Sequence, residues 1–169
     1  YNNIGTLFLE LGEQKKAINF FHKAAELKPN FVEALNNLGS ALEKTDQEKA
    51  INYYEKAIQA NPNYVEAYYN FGNVLREIGE YEKAIDCYEK AINILPGYGE
   101  AYYNLGVSYG ELSEIESAKE SYKNALRINS NYPTAQNNLG QILLTQGEFD
   151  ASIENFEWAI ALKPDFAEA

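Results

Sequence analysis

The side chains that ordinarily carry acid–base or nucleophilic chemistry are scarce in this chain. It has one histidine, His22, and one cysteine, Cys87, and the two fall in different segments of the sequence. A general base would have to be His22 and a thiolate would have to be Cys87, with neither brought near the other by spacing. A metal site would need carboxylates, and the Asp and Glu residues are scattered as on a solvated helical surface. These gaps point to a non-enzymatic protein with no metal and no cofactor. One polar residue does recur at fixed spacing. Asn3, Asn37, Asn70, Asn104 and Asn138 each stand two positions before a glycine. A carboxamide offers donors and an acceptor together, so it can pair with a backbone N–H and C=O at once without reading side chains.

The elements that would position those amides follow from the glycines. Gly5, Gly39, Gly72, Gly106 and Gly140 are spaced 34, 33, 34 and 34 residues apart. Downstream of each comes an aromatic: Phe21, Tyr54 (one step early), Tyr88, Tyr122 and Phe156. Then come Ala24, Ala57, Ala91, Ala125 and Ala159, and then Pro29, Pro62, Pro96, Ser130 and Pro164. Apolar residues recur at i, i+3, i+4 and i+7 in two runs per period, the pattern of two amphipathic helices. In the third period Tyr68, Phe71, Leu75 and Ile78 mark the first helix, and Ala84, Ile85, Tyr88, Ala91 and Ile92 the second. The short break at Gly79–Glu80 makes a tight hairpin, and Pro96 stops the second helix. A mid-helix glycine costs roughly 0.5–1 kcal/mol relative to Ala. Its fivefold recurrence implies that something passes too close for a side chain. A second aromatic series, Phe31, Tyr64, Tyr98, Tyr132 and Phe166, reads as a staple between consecutive units. One hairpin cannot bury both its faces, so the units must stack.

This pattern resembles the tetratricopeptide repeat (TPR) family over essentially the whole chain, with repeats at about 1–31, 32–64, 65–98, 99–132 and 133–166 and the start of a sixth. The resemblance implies an all-α, right-handed superhelical solenoid of antiparallel hairpins, with the first helices lining a concave groove. It also implies that the five asparagines face that groove, similar to the asparagine ladder of O-linked N-acetylglucosamine transferases. Packed helices lie roughly 8–10 Å apart and an extended peptide advances ~3.3 Å per residue, so an amide would meet the ligand at about every third residue. The same pattern aims Glu33, Glu66, Glu100 and Thr134 into the groove. Glu10, Glu77 and Glu111 would project from the far end of the first helices, Lys44 being the exception, and Tyr69 and Tyr103 would sit beside the amides. Such a groove suits a neutral or basic peptide. The bland alternatives are that the asparagines brace neighbouring helices and that the charges are a solvated surface. TPR proteins that hold acidic chaperone tails use Lys and Arg in the groove. Here Asn2, Asn36, Tyr69, Tyr103, Asn137 and the ladder asparagines stand at those positions, so such tails are not expected as partners.

Composition narrows the partners further. The net charge is −11, which argues against nucleic acid. No run approaches the ~20 apolar residues of a membrane span, and a lone cysteine fits a reducing, cytoplasmic setting. The reading is therefore a scaffold that binds an extended protein segment. Two alternatives are a substrate-recruiting arm of a larger enzyme, such as a glycosyltransferase, and a self-assembly module. The chain reads as an excerpt of a longer protein, since it opens inside a helix and closes on "PDFAEA".

Several departures carry expectations of their own. The second repeat is one residue short and lacks the turn glycine. The fourth has Ser113, Lys119 and Ser130 where Gly, an apolar residue and Pro are usual, which predicts a soft spot. The fifth has Gln136 in place of Tyr68 and Tyr102. Trp158 replaces Lys23, Lys56, Lys90 and Asn124, and is expected to make a convex-face contact or to pack on a following repeat. Cys87 and His22 read as ordinary half-buried residues.

Overall fold

The computed structural model describes residues 1–164, so Phe166 and most of the "PDFAEA" segment lie outside the described residues. Among the described residues ten helices follow in order. The first five are α1 (Asn2–Glu10), α2 (Gln14–Leu27), α3 (Val32–Leu42), α4 (Gln47–Ala60) and α5 (Val65–Glu77). The others are α6 (Tyr81–Ile94), α7 (Gly99–Glu111), α8 (Ile115–Ile128), α9 (Pro133–Thr145) and α10 (Phe149–Leu162). They form two compact units, residues 1–80 and 81–169, so the third repeat gives α5 to the first and α6 to the second. In the first unit α1 pairs with α2 and α3 with α4, while α1 also lies along α3 and α3 along α5. In the second unit α7 pairs with α8 and α9 with α10, while α6 packs on α7 and α8 on α9.

The reason for the recurrent glycine is an aromatic ring. A Cβ added at Gly5 would lie 2.5 Å from the Phe21 ring, and one at Gly39 would lie 2.6 Å from Tyr54. The distances are 2.7 Å from Gly106 to Tyr122 and 2.8 Å from Gly140 to Phe156. Each ring belongs to the second helix of the same hairpin. The rings of Phe21, Tyr54 and Tyr122 are buried, so they cannot swing aside. The repeated Ala24, Ala57, Ala91, Ala125 and Ala159 are all buried as well. The staple is seen where Tyr132 lies 4.8 Å from the Tyr103 ring and where Tyr64 packs on Leu35, Ala57 and Ala67.

The turns show how the same bend is made from different residues. Gly12, Gly79 and Gly147 adopt φ of 73°, 82° and 78° at the ends of first helices. The following amides, of Glu13, Glu80 and Glu148, donate five residues back to Phe8, Leu75 and Leu143, closing a Schellman-type cap. Ser113 takes the same place at φ 60° and is the one non-glycine residue with positive φ among those described. The second repeat dispenses with this bend. α3 stops at Leu42, and Asp46 caps α4 by accepting from the Lys49 amide at 3.1 Å. At the second-helix ends, Lys28, Asn61 and Lys163 are extended ahead of proline, as residues before proline must be. Asn129 is extended without one, and its side chain accepts from the Asn131 amide at 3.0 Å, as Asn61 does from Asn63. An Asx turn thus supplies at Ser130 part of what proline supplies elsewhere.

Candidate binding groove

In the first unit the asparagines of neighbouring first helices bond to one another. Asn37 Nδ2 donates to Asn2 Oδ1 at 3.1 Å, and Asn70 Nδ2 donates to Asn36 Oδ1 at 3.1 Å. The acceptors stand one position before the ladder, so each bond runs diagonally from one first helix to the next. Asn37 and Asn70 are half-buried, Asn36 is 7% exposed and Asn3 is exposed. In the second unit Asn138 Nδ2 donates to the Tyr122 hydroxyl at 3.3 Å, and Asn104 is half-buried. Bracing between repeats is therefore a role of Asn37 and Asn70 in the folded chain. It uses one N–H of each amide and leaves Oδ1 and the second N–H for another partner. Asn137, at the position of Asn2 and Asn36, is 1% exposed, and its Oδ1 has no hydrogen-bond partner among the described residues.

The charged candidates sit on the surface. Glu33, Glu66, Glu100, Glu10, Glu77, Glu111 and Lys44 are all exposed, and Thr134 is half-buried. Glu33, Glu66 and Glu100 occupy the first turns of α3, α5 and α7, where a carboxylate also complements the helix dipole. Tyr69 is half-buried, and so is Tyr103, whose ring lies between Tyr132 at 4.8 Å and Tyr122 at 5.8 Å. Tyr103 is thus part of an internal aromatic cluster, with only part of its ring open to a ligand. Burial, with Tyr103 and Glu111 nearby, pushes the Tyr122 hydroxyl up to about 12 against the opposing Asn138 bond, so it stays protonated at neutral pH.

A cavity of about 320 Å³ opens beside Asn138 in the second unit. Val107, Gly110 and Glu111 of α7 form one wall, and Gln141, Ile142 and Thr145 of α9 form the other. Ile115, Ala118 and Tyr122 of α8 line it as well. Sequence reasoning missed this cavity. The available signal was Gly110, a helical glycine outside the 34-residue series, where an added Cβ would meet nothing within 4 Å. A larger hollow of about 660 Å³ lies between the second helices α2 and α4, lined in part by His22, Tyr53 and Lys56. The His22 ring meets Tyr53 edge-on at 5.7 Å, and the Lys56 ammonium lies 5.2 Å from the Tyr53 ring centre.

Cys87 is buried, and burial pushes its thiol up to about 12, so no thiolate is present at neutral pH. Trp158 is 54% exposed on α10, in a shallow depression shared with Glu154, Glu157 and Ala161. Among the described residues no group of His, Cys, Asp and Glu is arranged to hold a metal ion, and no helix is long and apolar enough to cross a membrane.

Lys119 departs from expectation. It brings a charge to a face that is apolar elsewhere, yet its Nζ donates to Gln146 Oε1 and to Glu148 Oε1, both at 2.6 Å. Gln146 in turn donates to Glu116 Oε1 at 2.6 Å. The ammonium is paired with the turn of the following repeat, and its side chain is only 13% exposed.

Comparison with known proteins agrees with this architecture. Models described as "TPR repeat" match residues 5–46 and 72–113, and models described as "Tetratricopeptide repeat" match 32–64, 53–86, 99–132 and 133–166. A crystal structure of MamA is 28% identical, with a TM-score of 0.88, covering 100% of this chain and 99% of that one. PilF of Pseudomonas aeruginosa is 22% identical, with a TM-score of 0.89 over 95% of this chain and 74% of that one, a likeness of fold alone. The photosystem I assembly protein Ycf3 of Acaryochloris marina is 42% identical over 40 residues, which are 24% of each chain. The match spans about a quarter of that curated relative, and the same holds for the uncharacterized protein ycf37 of Pyropia yezoensis. The repeated glycine-on-ring hairpins, the capped turns and these matches together make the chain a member of the tetratricopeptide repeat family.

Proposed function

We propose that this chain is a protein-interaction scaffold that holds an extended peptide or protein segment along the first helices of each unit. The observation that carries the reading is the state of the asparagines. Asn37, Asn70 and Asn138 are fixed by one donor each, to Asn2, Asn36 and Tyr122, and among the described residues their Oδ1 and second N–H are left for a ligand. A half-buried amide already held in place loses little freedom when it pairs with a peptide backbone. Glu33, Glu66, Glu100, Glu77 and Glu111, all exposed, add negative charge around these positions and favour a neutral or basic segment over an acidic one.

The test uses a random peptide library selected on the intact chain, followed by affinity measurements on the triple variant Asn70→Ala, Asn104→Ala, Asn138→Ala. Each lost hydrogen bond is worth roughly 0.5–1.5 kcal/mol, so affinity per folded molecule should fall about tenfold to a thousandfold. Affinity unchanged per folded molecule, with a lower melting temperature alone, would assign the asparagines to bracing and remove them from the binding surface.

A further inference from the structure

Gly110 has no packing reason to be glycine. Gly106, one turn earlier, must be glycine because a Cβ there would strike the Tyr122 ring at 2.7 Å. At Gly110 nothing lies within 4 Å, and the residue faces the 320 Å³ cavity between α7 and α9. Gly110 stands in the last turn of α7, where glycine still favours the helix less than Ala, and no internal contact offsets this.

The repeats show what normally occupies this place. The residues at the same register are Leu9, Glu43, Arg76 and Leu144. Leu9 packs on the core cluster of Ala17, Phe21, Leu38 and Ala41, which are the counterparts of Ala118, Tyr122, Leu139 and Ile142. In the first repeat a leucine side chain therefore packs at this place, whereas in the fourth, where Ala118, Tyr122 and Leu139 are still buried, Gly110 supplies no side chain and Val107, Ile115 and Ile142 stay partly exposed. The volume falls at the lower end of the ~300–1,000 Å³ usual for ligand sites.

We propose that this pocket receives a leucine-sized aliphatic side chain from a bound extended peptide, which supplies in trans the side chain that α7 lacks. Val107, Ile115, Ala118 and Ile142 provide the apolar walls. Glu111 lines the pocket, is exposed and forms no ion pair among the described residues, so the residue flanking the aliphatic one is basic. Asn138, which also lines the pocket, keeps Oδ1 for the peptide backbone. This inference rests on the groove reading above and narrows it to one motif, an aliphatic residue next to Lys or Arg.

The experiment follows backbone amide shifts of the isotope-labelled intact chain during titration with four acetylated, amidated peptides. These are Gly-Ser-Gly-Leu-Lys-Gly-Ser and its Leu→Gly, Leu→Glu and Lys→Glu versions. The expected result is saturable movement of residues 107–111 and 138–145 by the Leu-Lys peptide, with each other version about tenfold weaker or more. Gly110→Leu fills the pocket from within. It should abolish the preference for the Leu-Lys peptide while the melting temperature stays level or rises, since Leu9 and Leu144 show that the helix accepts leucine there. Equal shifts from all four peptides, or an undiminished response in Gly110→Leu, would overturn the pocket and leave the groove reading standing. Shifts confined to the hollow at His22 and Tyr53, or no shifts from any peptide, would also overturn the pocket, while a library selection that yields no groove-binding peptide at all would overturn the groove reading.

Discussion

The bond between Asn70 and Asn36 separates two roles that a sequence pattern cannot. Asn36 is 7% exposed and its Oδ1 is paired by Asn70 Nδ2, whereas Asn2, the acceptor for Asn37, is only half-buried. Removing the donor from Asn36 strands a buried acceptor, which costs about 1–3 kcal/mol, while removing both partners is far milder. Asn70→Ala should therefore lower stability by about that amount, and Asn36→Leu combined with Asn70→Ala should recover much of it. Chemical denaturation of the two single variants and the double variant checks this. Additive losses would mean that the bond contributes nothing in solution. Ser113 poses the converse case. It holds φ 60° at a place where Gly12, Gly79 and Gly147 stand in their own turns. The left-handed region costs a non-glycine residue roughly 1–2 kcal/mol, and glycine returns part of that through a freer unfolded chain. Ser113→Gly should raise stability by roughly 0.5–1 kcal/mol, read as a melting temperature a few degrees higher. The turn and its serine exception were both legible in the sequence. The diagonal Asn–Asn bonds were not, because the partners are 34 and 35 residues apart and only the packing offset between helices brings them together.

Among the elements, α8 departs from its counterpart α6 in what it buries. α6 buries Ala84, Ile85, Cys87, Tyr88 and Ala91, whereas α8 has Lys119 and Ser121 in place of Ile85 and Cys87. Ser121 is buried and bonds back to the Ser117 carbonyl at 2.7 Å, which answers its hydroxyl without adding apolar packing. Lys119 is held by Gln146 and Glu148, so its charge is less disruptive than its position in the sequence suggests. Two opposing effects remain, fewer apolar atoms in the packed face and a new link to the following repeat. Lost aliphatic burial scales at ~25 cal/mol per Å², and an ion pair whose Glu148 partner is exposed to water returns only about 1 kcal/mol, so the deficit wins. Amide exchange should show residues 115–128 less protected than 81–94, and Glu148→Gln should widen that gap by cutting the link. Equal protection in the parent chain would mean that the Lys119 network compensates fully. Helix existence, the order of elements and the glycine series were readable here because they rest on periodicity. The ring behind Gly5, Gly39, Gly106 and Gly140 was visible only as a second series with the same period. The cavity at Gly110 had almost no signature, since an empty space between two helices leaves only a missing side chain to read.

For the whole molecule the governing quantity is charge. The chain carries −11 overall, and the balance shifts along it from +1 over residues 1–31 to −5 over residues 133–169. The carboxylates proposed to surround the ligand are exposed, so each contributes little to affinity in water but adds to a field that acts before contact. Such a field accelerates the encounter with a basic segment and repels an acidic one. It should show in the association rate more than in the dissociation rate. Salt is the discriminating variable, because the screening length falls from about 10 Å at 0.1 M to about 3 Å at 1 M. For a library-selected basic peptide, the association rate should drop steeply over that range while the dissociation rate changes little. Replacing Glu100 and Glu111 together with Gln should flatten the salt dependence without lowering the melting temperature much. Glu111 makes no ion pair among the described residues, and Glu100 loses only a first-turn dipole interaction of about 0.3–1 kcal/mol. Rapid-mixing kinetics on the parent chain and the double variant measure both effects. A library that instead yields acidic peptides, bound with affinity that salt does not change, would show that the carboxylates are solvated bystanders and that the amides and the pocket act without them.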